Sequence, residues 1–417
     1  MSKSYTTEIL SVGTELLLGH VTNTDARDVS EQLSKIGLNV RYHTVVGDNP
    51  ERLRQCVAIA RERADVILTT GGLGPTCDDL TKQVLAECFD LPLVEDAAER
   101  AGLYDYIHYS RRFTDNNFVQ ALIPQGATVF HNSCGTAPGC AFEKDGKVVV
   151  MLPGPPKECR TMLRESAVPY LRRLGDGEIV SHAIRIFGIG ESTVDEMFRE
   201  EMNRLTNPTM APYAKECDCL VQLTAKAATR QEAEEMLLPL RREVRERLGD
   251  YVFGEDVESL EETVYQLLCA SPCRFALAEG FTGGDVARRF TELPGAGAFL
   301  RGCAVCPTPE AGTALLGLDR DFIIHHGAAS RPVTEEMAKA VRVRMDAELA
   351  LAVTGLDGSE EDATQEAGTV FAALADSRQV YVRQLSLGPH RSRSFIRQMA
   401  GNHVYDMLRR YLTGLPV

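Results

Sequence analysis

The feature that most restricts the fold of this chain is a regular alternation of short apolar strands and helical stretches. Strands are expected at 7–12, 38–46 and 65–70. Helices are expected from Asn23 or Thr24 to Lys35, from Pro50 onward, and from about Asp79 to Cys88. Such alternation predicts a parallel sheet with helices on both faces. In sheets of this kind, ligands bind beyond the carboxyl ends of the strands.

The length of 417 residues predicts two to four domains at about 150 residues each. After a further apolar strand at 147–152 the pattern changes to two strand-like stretches and a charged helix at 230–248, which is typical of a small α+β module. Strands and helices then alternate again to the end. We therefore expect an α/β protein of three domains, at 1–172, 173–257 and 258–417.

Charge and hydropathy exclude several classes of partner. The formal net charge of −14 argues against a broad grip on DNA or RNA, because phosphate binding needs a basic face. No segment reaches the roughly 18 apolar residues of a membrane span, and the first residues lack the apolar core of a signal peptide. The twelve cysteines are scattered, and their only close pairs, Cys217-x-Cys219 and Cys303-x-x-Cys306, lack the nearby second pair or histidine that a zinc site needs, so zinc or redox chemistry is the lesser alternative to structural thiols. We expect a cytoplasmic protein with structural thiols and no nucleic-acid or membrane partner.

The strongest local signal is the segment 69–79, in which a strand leads through a glycine-rich turn into a helix. Glycines in such a turn let backbone N–H groups face an anion, and the helix N-terminus adds its positive dipole end. Asp78 and Asp79 then offer hard oxygen ligands for a divalent cation that bridges phosphates. The alternative is that one of these two carboxylates only caps the helix.

Two further loops and one lysine are candidate binding groups. The strand at 147–152 ends in Pro153 and Gly154, with Glu158 four residues on. A second glycine-containing loop runs from Asn132 through Gly135 and Thr136, and its backbone can approach a ligand closely. Both loops can equally be plain turns. Lys82, one turn into the helix, can reach a phosphate or lie solvated on the surface.

These motifs together resemble the competence/damage-inducible protein A (CinA) family over essentially the whole chain. The resemblance is carried by GTELLLG at 13–19, TTGGLGPTCDDLT at 69–81, the loop at 132–139, LPGPPKE at 152–158 and FGIGES at 187–192. The family implies a first domain similar to the molybdopterin-binding fold of molybdenum-cofactor proteins. It also implies a small KH-like module and a C-terminal amidohydrolase-like domain.

The resemblance implies that the first domain hydrolyses ADP-ribose to AMP and ribose 5-phosphate with a divalent cation of the Mg²⁺ or Co²⁺ type, a monovalent cation being a further candidate. Asp78 and Asp79 would hold the metal, and Glu15 would orient metal or water. The substrate-binding candidates are Gly71, Gly72, Gly74, Thr76, Lys82, Asn132, Gly135, Thr136, Pro153, Gly154 and Glu158.

The C-terminal domain departs from the family where its chemistry should lie. The family's nucleophilic serine corresponds to Gly280, and its tyrosine and lysine correspond to Pro307 and Gly312. A glycine-rich stretch has become acidic at 357–362. Because glycine has no oxygen to form an acyl intermediate, we expect a folded domain that no longer deamidates nicotinamide mononucleotide. The alternative is deamidation with a different nucleophile, such as Thr282 or Cys306. An arginine near the family's phosphate contact, Arg391 or Arg393, is kept.

The remaining expectations concern the middle module and the rival functions. KH domains clamp nucleic acid with a Gly-x-x-Gly loop, and Gly188-x-Gly190 lacks that spacing, so a linking role is expected for this module. We also expect a homodimer. The rivals to an enzyme are a competence accessory protein that binds nucleotide and recruits partners, and a molybdopterin-binding protein, since fold alone does not settle function.

Overall fold

The computed structural model describes residues 5–109, 115–175, 177–356 and 366–417. The chain forms two compact units. The first comprises Met1–Val180 with Ala225–Met236, and the second comprises Ser181–Thr224 with Leu237–Val417. The acidic stretch at 357–362, on which one sequence expectation rested, lies outside the described residues.

The first unit contains a six-stranded sheet in the order β2-β1-β3-β8-β7-β6, with β4 and β5 paired separately. The pairs β1–β2, β1–β3 and β3–β8 are parallel, whereas β7 pairs antiparallel with both β8 and β6. The strands are β1 (Thr6–Val12), β2 (Asn39–Val46), β3 (Val66–Thr70), β4 (Leu93–Glu95), β5 (Leu122–Pro124), β6 (Thr128–Phe130), β7 (Gly139–Lys144) and β8 (Lys147–Leu152).

Helices cover both faces of this sheet because neighbouring strand residues point to opposite sides. Ile9 and Leu68 join one core and Leu10 and Ile67 the other. The helices are α1 (Thr14–Leu17), α2 (Thr24–Lys35), α3 (Pro50–Arg63), α4 (Thr81–Cys88), α5 (Ala97–Tyr109), α6 (Pro156–Met162) and α7 (Val168–Leu171). Apolar residues of α2 and α6 fill the first core, and those of α3 and α4 fill the second.

The middle of the chain forms a four-stranded sheet in the order β10-β11-β9-β12. Its strands are β9 (Glu178–Ile186), β10 (Thr209–Ala214), β11 (Cys219–Ala227) and β12 (Val252–Glu255), and its helices are α8 (Glu191–Arg204) and α9 (Arg230–Leu248). This is the expected α+β module.

The C-terminal part is built on a five-stranded sheet in the order β14-β13-β15-β16-β17, parallel about β13 and antiparallel from β15 onward. Its strands are β13 (Phe275–Glu279), β14 (Leu300–Val305), β15 (Leu349–Gly355), β16 (Thr369–Ala375) and β17 (Val380–Ser386). Its helices are α10 (Leu260–Ala270), α11 (Asp285–Thr291), α12 (Pro309–Ala311), α13 (Arg320–His326), α14 (Arg331–Arg344) and α15 (Arg393–Leu412).

The three-part α/β architecture expected from the sequence is confirmed, with one difference in the first sheet. We expected a parallel sheet, but β7 and β8 form a hairpin across Asp145 and Gly146, which have φ values of 52° and 72°. Asp-Gly with both residues at positive φ suits a tight hairpin turn, so β7 runs antiparallel to β8, and β6, antiparallel to β7, again runs in the direction of the other strands.

Hydropathy along the helices bears on the membrane expectation. Among the residues described, no helix has both the length and the apolar character needed to cross a membrane.

Candidate active site

A cavity of about 600 Å³ lies where β1, β3 and β8 end in the first unit. These carboxyl ends meet because the strands are parallel neighbours, as expected for a ligand site in an α/β sheet. Most residues predicted for the site line this cavity: Glu15, Gly71, Gly72, Gly74, Thr76, Asp78, Asp79, Thr136, Pro153, Gly154 and Glu158. Their proximity is a structural fact, whereas their roles in binding stay predictions.

The glycine-rich turn begins at Gly71, where backbone atoms at the end of β1 and in the segment after β8 lie close by. Gly71 has φ +94°, and a Cβ there would lie 2.2 Å from the carbonyl oxygen of Val12. Its N–H donates to the carbonyl of Leu152 at 3.0 Å. On the other side, a Cβ on Gly154 would lie 3.2 Å from the Cα of Gly71. Only glycine fits at a left-handed position this close to backbone, so the turn is set by sterics at its first residue.

The side chain of Asp79 stabilises the turn through two hydrogen bonds from Thr76. One carboxylate oxygen, Oδ2, accepts from the backbone N–H of Thr76 at 2.9 Å and from its hydroxyl at 2.5 Å. Helix α4 consequently begins at Thr81, two residues later than the sequence predicts, and Leu80 is its N-cap without any side-chain bond. Neither Asp78 nor Asp79 is therefore the N-cap, so the helix-cap alternative is wrong.

Asp78 is fully exposed at the rim of the same turn. The thiol of Cys77 donates to its Oδ1 at 3.2 Å, and this bond, with a backbone hydrogen bond, lowers the pKa of the Asp78 carboxyl. An exposed carboxylate with a lowered pKa is ionised at neutral pH. It is available to bind a cation that enters from solvent.

Two more carboxylates follow the ends of β1 and β2. The carboxylate of Glu15 folds back over Gly13, where a Cβ would lie 2.4 Å from Oε1. Asp48 accepts from the N–H of Thr14 at 2.8 Å and donates its own N–H to the Thr14 hydroxyl at 3.1 Å. This reciprocal pair holds the two strand ends together and places Asp48 on the cavity wall.

Glu158 is positioned by the loop that follows β6. The Nδ2 of Asn132, a buried side chain, donates to Glu158 Oε2 at 2.6 Å and to the carbonyl of Ala137 at 2.9 Å. A Cβ on Gly135 would lie 2.3 Å from the Glu158 carboxyl carbon. Asn132 and Gly135, predicted to bind substrate, thus do not line the cavity but hold Glu158 in its wall.

Lys82 also lies outside the cavity lining. It is buried, its Nζ donates to the carbonyl of Gln120 at 2.5 Å, and burial lowers its pKa to about 8. Neither sequence interpretation, a solvated lysine or a phosphate ligand, matches this position. Its ammonium instead supports Gln120, which lines the cavity and whose Oε1 has no hydrogen-bond partner in the described part of the chain.

The charge of the cavity is one-sided. Among the described residues, its lining includes no lysine or arginine. It includes six carboxylates, those of Glu15, Asp25, Asp48, Asp78, Asp79 and Glu158. Like charges at this density repel an anionic ligand unless cations lie between them. Hard carboxylate oxygens are the ligands that divalent cations such as Mg²⁺ prefer. The residues present therefore fit a divalent cation.

Elsewhere in the described ranges, one group of three candidate ligands does converge within 4.8 Å, formed by His182, Glu255 and Asp256. Glu255 is already ion-paired with both Arg241 and Arg245 at 2.5 Å, and Asp256 accepts from His182 at 2.6 Å. These charges are satisfied within the protein, so the group does not fit a metal. The carboxylates of the first cavity do not converge to that degree among the described residues.

Sequence reasoning missed Asp25, Asp48 and Gln120 in the cavity wall. Asp48 could have been found, because it follows the carboxyl end of β2 as Glu15 follows that of β1. Asp25 could not, since an aspartate in the first turn of a helix is ordinarily explained by the helix dipole. Gln120 lies far along the chain from any motif.

A second cavity, of about 490 Å³, lies in the C-terminal domain and includes Gly280, Pro307 and Gly312 in its lining. The three substituted positions are therefore neighbours in space. The described residues that line it include no carboxylate, histidine, lysine, serine or tyrosine, and the charged ones are Arg393 and Arg397. The described part of the wall thus holds no base to activate a nucleophile.

The alternative nucleophiles are also engaged or inert. Thr282 is buried and donates its hydroxyl to Glu279 at 2.6 Å, which anchors the turn before α11. Cys306 lines the cavity, but burial raises the pKa of its thiol, and the thiolate is the reactive form. Of the two arginine candidates, Arg393 lines the cavity, whereas Arg391 stacks over the ring of Phe395 at 4.8 Å.

Comparison with known families assigns each part of the chain. Residues 8–173 match a family described as "Probable molybdopterin binding domain". Residues 181–254 match "Damage-inducible protein CinA KH domain", and residues 257–412 match "CinA C-terminal domain".

Full-length relatives carry the same names. A "Putative competence-damage inducible protein" of Caldanaerobacter subterraneus subsp. tengcongensis is 41% identical over 409 residues, covering 98% of each chain. A "CinA-like protein" of Dictyoglomus thermophilum is 40% identical over 411 residues, covering 98% of this chain and 99% of its own. A crystal structure of the protein CinA, with unknown function, from Thermoplasma acidophilum is 32% identical. It covers 40% of this chain and 98% of its own, with a TM-score of 0.37.

Proposed function

The chain belongs to the competence/damage-inducible protein A family, and from this premise we propose that its first domain is a metal-dependent pyrophosphatase acting on ADP-ribose. The observation that carries the proposal is the cavity at the strand ends, whose wall contains six carboxylates together with a glycine-rich turn. An anionic diphosphate enters such a cavity only with cations. The proposed reaction therefore needs a divalent metal.

The residues of the turn supply the binding part of the mechanism. The backbone of Gly72–Gly74 lines the cavity, and its N–H groups would donate to the diphosphate oxygens, whereas the N–H of Gly71 is already bonded to the carbonyl of Leu152. Asp78 and Asp79 would hold the cation, with Glu15 and Asp48 on the adjoining wall. When bound there, a divalent cation withdraws charge from the phosphoryl oxygens and makes a nearby water more acidic.

Removal of the metal tests the proposal directly. The purified protein, incubated with ADP-ribose and Mg²⁺ or Co²⁺, is expected to release AMP and ribose 5-phosphate. The same sample treated with EDTA is expected to release neither until the cation is restored. Chromatographic quantification of AMP measures both states. No AMP from a folded sample with any divalent cation would overturn the proposal.

For the C-terminal domain we propose that deamidation has been lost. The wild-type protein is expected to release no ammonia from nicotinamide mononucleotide above the buffer background. Gly280→Ser is expected to stay inactive as well, because the described residues of the cavity wall offer the new hydroxyl no base. A coupled ammonia assay measures both. Ammonia release by the wild type that disappears in Cys306→Ala would instead identify a replacement nucleophile.

Molybdopterin binding is the second candidate, favoured by the match of residues 8–173 to the molybdopterin-binding family. A pterin phosphate would meet the same carboxylates and would also need a cation. Pterin fluorescence that copurifies with the protein, without AMP release from ADP-ribose, would favour this candidate over the pyrophosphatase.

A further inference from the structure

The first cavity contains a buried carboxylate that the proposed binding scheme does not use. Asp25 lies in the first turn of α2, and 8% of its surface is exposed. Its Oδ1 has no hydrogen-bond partner among the residues described, although the residue lines the cavity. A buried polar atom without a partner is costly, so the ionised carboxylate is poorly solvated, and its small exposed surface is the part that can meet a ligand or a water molecule in the cavity.

The position of Asp25 relative to the turn follows from the two cores. Helix α2 packs in the core on one face of the sheet, and α4, which follows Asp79, packs in the core on the other face. The cavity is thus bordered by Asp25, from the helices on one face of the sheet, and by the glycine-rich turn, which leads from β3 to a helix on the other face. In phosphoryl transfer, the attacking and leaving oxygens lie on opposite sides of the phosphorus.

We propose that Asp25 is the general base of the pyrophosphatase, an inference that rests on the function proposed above. Its carboxylate accepts a proton from the attacking water while the water oxygen bonds to one phosphorus of the diphosphate. The bond between that phosphorus and the bridging oxygen breaks, and its electron pair stays on the bridging oxygen of the departing phosphate. AMP and ribose 5-phosphate result, and the proton on Asp25 returns to solvent.

The environment of Asp25 is suited to this role. Burial raises its pKa to about 6, Arg160 on α6 opposes this, and Asp28 one turn along α2 adds to it. Cys159 on α6 also lies near, and burial, with Asp25 contributing, raises the pKa of that thiol. A base whose pKa lies near neutrality is ionised at pH 7 and still accepts a proton effectively.

The pH profile of AMP release tests the proposal. In the wild type, kcat/KM is expected to rise with pH through about 6 and then level off, because only ionised Asp25 accepts a proton and kcat/KM reports the pKa of the free enzyme. Asp25→Asn is expected to lower the plateau by about 10²-fold or more and to remove this rise. The Kd for the α,β-methylene analogue of ADP-ribose with Mg²⁺, measured by calorimetry, is expected to stay within about twofold, since a base acts on water rather than on binding.

Asp28→Asn is the matched control on the same helix. Asp28 pairs with Arg27 and Arg160 and does not line the cavity. The variant is expected to keep the wild-type plateau and to move the rise to lower pH. A like charge near Asp25 is removed, and Arg160 is released to act on Asp25.

Stability provides a readout apart from activity. A carboxyl whose pKa is raised on folding stabilises the folded state when protonated, and this contribution is lost as pH increases through the folded pKa. Asp25→Asn is therefore expected to melt at a higher temperature than the wild type at pH 8, with a smaller difference at pH 5. A variant that loses Tm equally at both pH values would indicate a structural role instead.

The possible outcomes distinguish the general-base role of Asp25 from the pyrophosphatase function on which it rests. Wild-type turnover with unchanged kcat in Asp25→Asn would overturn the general-base role alone. A rise in the Kd of the α,β-methylene analogue for Asp25→Asn that accounts for the whole loss in kcat/KM would also overturn the general-base role and would indicate a binding role instead. Absence of AMP release by the folded wild type would overturn the pyrophosphatase and this role with it.

Discussion

Asp79→Ala is expected to lose metal-dependent AMP release while the first unit stays folded. The substitution removes one of the paired carboxylates that would hold the cation. Metal stabilisation of a phosphoryl-transfer transition state is worth several kcal/mol, so we expect a loss of about 10²-fold to 10³-fold in kcat. The two hydrogen bonds to Thr76 are lost as well, at about 1 kcal/mol each. Steady-state AMP release at saturating Mg²⁺ measures the effect.

Asp79→Asn separates the charge from the turn. The asparagine oxygen can still accept from the N–H and hydroxyl of Thr76, so the turn is retained while the charge is removed. Asp145→Asn is the matched control, because Asp145 lies on the β7–β8 hairpin, pairs with Arg61 and does not line the cavity. Unchanged turnover in Asp79→Asn would remove this carboxylate from the mechanism, since only its charge differs.

Gly71→Ala is expected to cause the largest loss of stability among single substitutions in the turn. The new Cβ would lie 2.2 Å from the carbonyl oxygen of Val12 and at φ +94°, so both a clash with backbone and a left-handed strain arise. We expect a cost of about 3 kcal/mol or more. In the full-length chain, hydrogen exchange of the amides in β1 and β3 is expected to accelerate by about 10²-fold.

Gly126→Ala is the control for the strain alone. Gly126 also has a positive φ, +81°, but a Cβ there would meet nothing within 4 Å. Its expected cost is about 1–2 kcal/mol, the left-handed penalty by itself. If Gly71→Ala and Gly126→Ala accelerated hydrogen exchange equally, the positive φ alone would explain the need for glycine at position 71. The contact with the carbonyl of Val12 would then play no part.

Several elements could be predicted from the sequence because their signals are local. Helix α2 begins after Asn23, whose side chain accepts from the N–H of Ala26, and ends at Lys35 as expected. The last helix, from Arg393 to Leu412, has a local start signal of the same kind, because the side chain of Ser392 accepts from the N–H of Phe395. The start of α4 was misplaced by two residues because Asp79 bonds to the turn rather than to the helix. Local patterns show which side chains can cap a helix, but not which acceptor a donor will meet.

The cavity itself was predictable only in part. Glu15, Asp79 and Pro153 follow strands, and the carboxyl ends of parallel strands meet at one edge of a sheet. Lys82 was misjudged because a single lysine in an amphipathic helix gives no sign of the buried carbonyl, that of Gln120, to which it donates. The exposed or buried state of a side chain depends on segments distant in sequence, and no local pattern contains them.

By itself, the sequence determined the alternation of strands and helices and the turn that requires glycine, and its resemblance to the family implied the loss of a serine, a tyrosine and a lysine from the C-terminal site. These follow from steric limits and side-chain chemistry at single positions. Only the tertiary structure decided that six carboxylates share one cavity without a basic neighbour among the described residues, and that Asp25 is buried there with an unpartnered oxygen. Burial and electrostatic field are sums over atoms from many segments, so they arise only when the chain has folded.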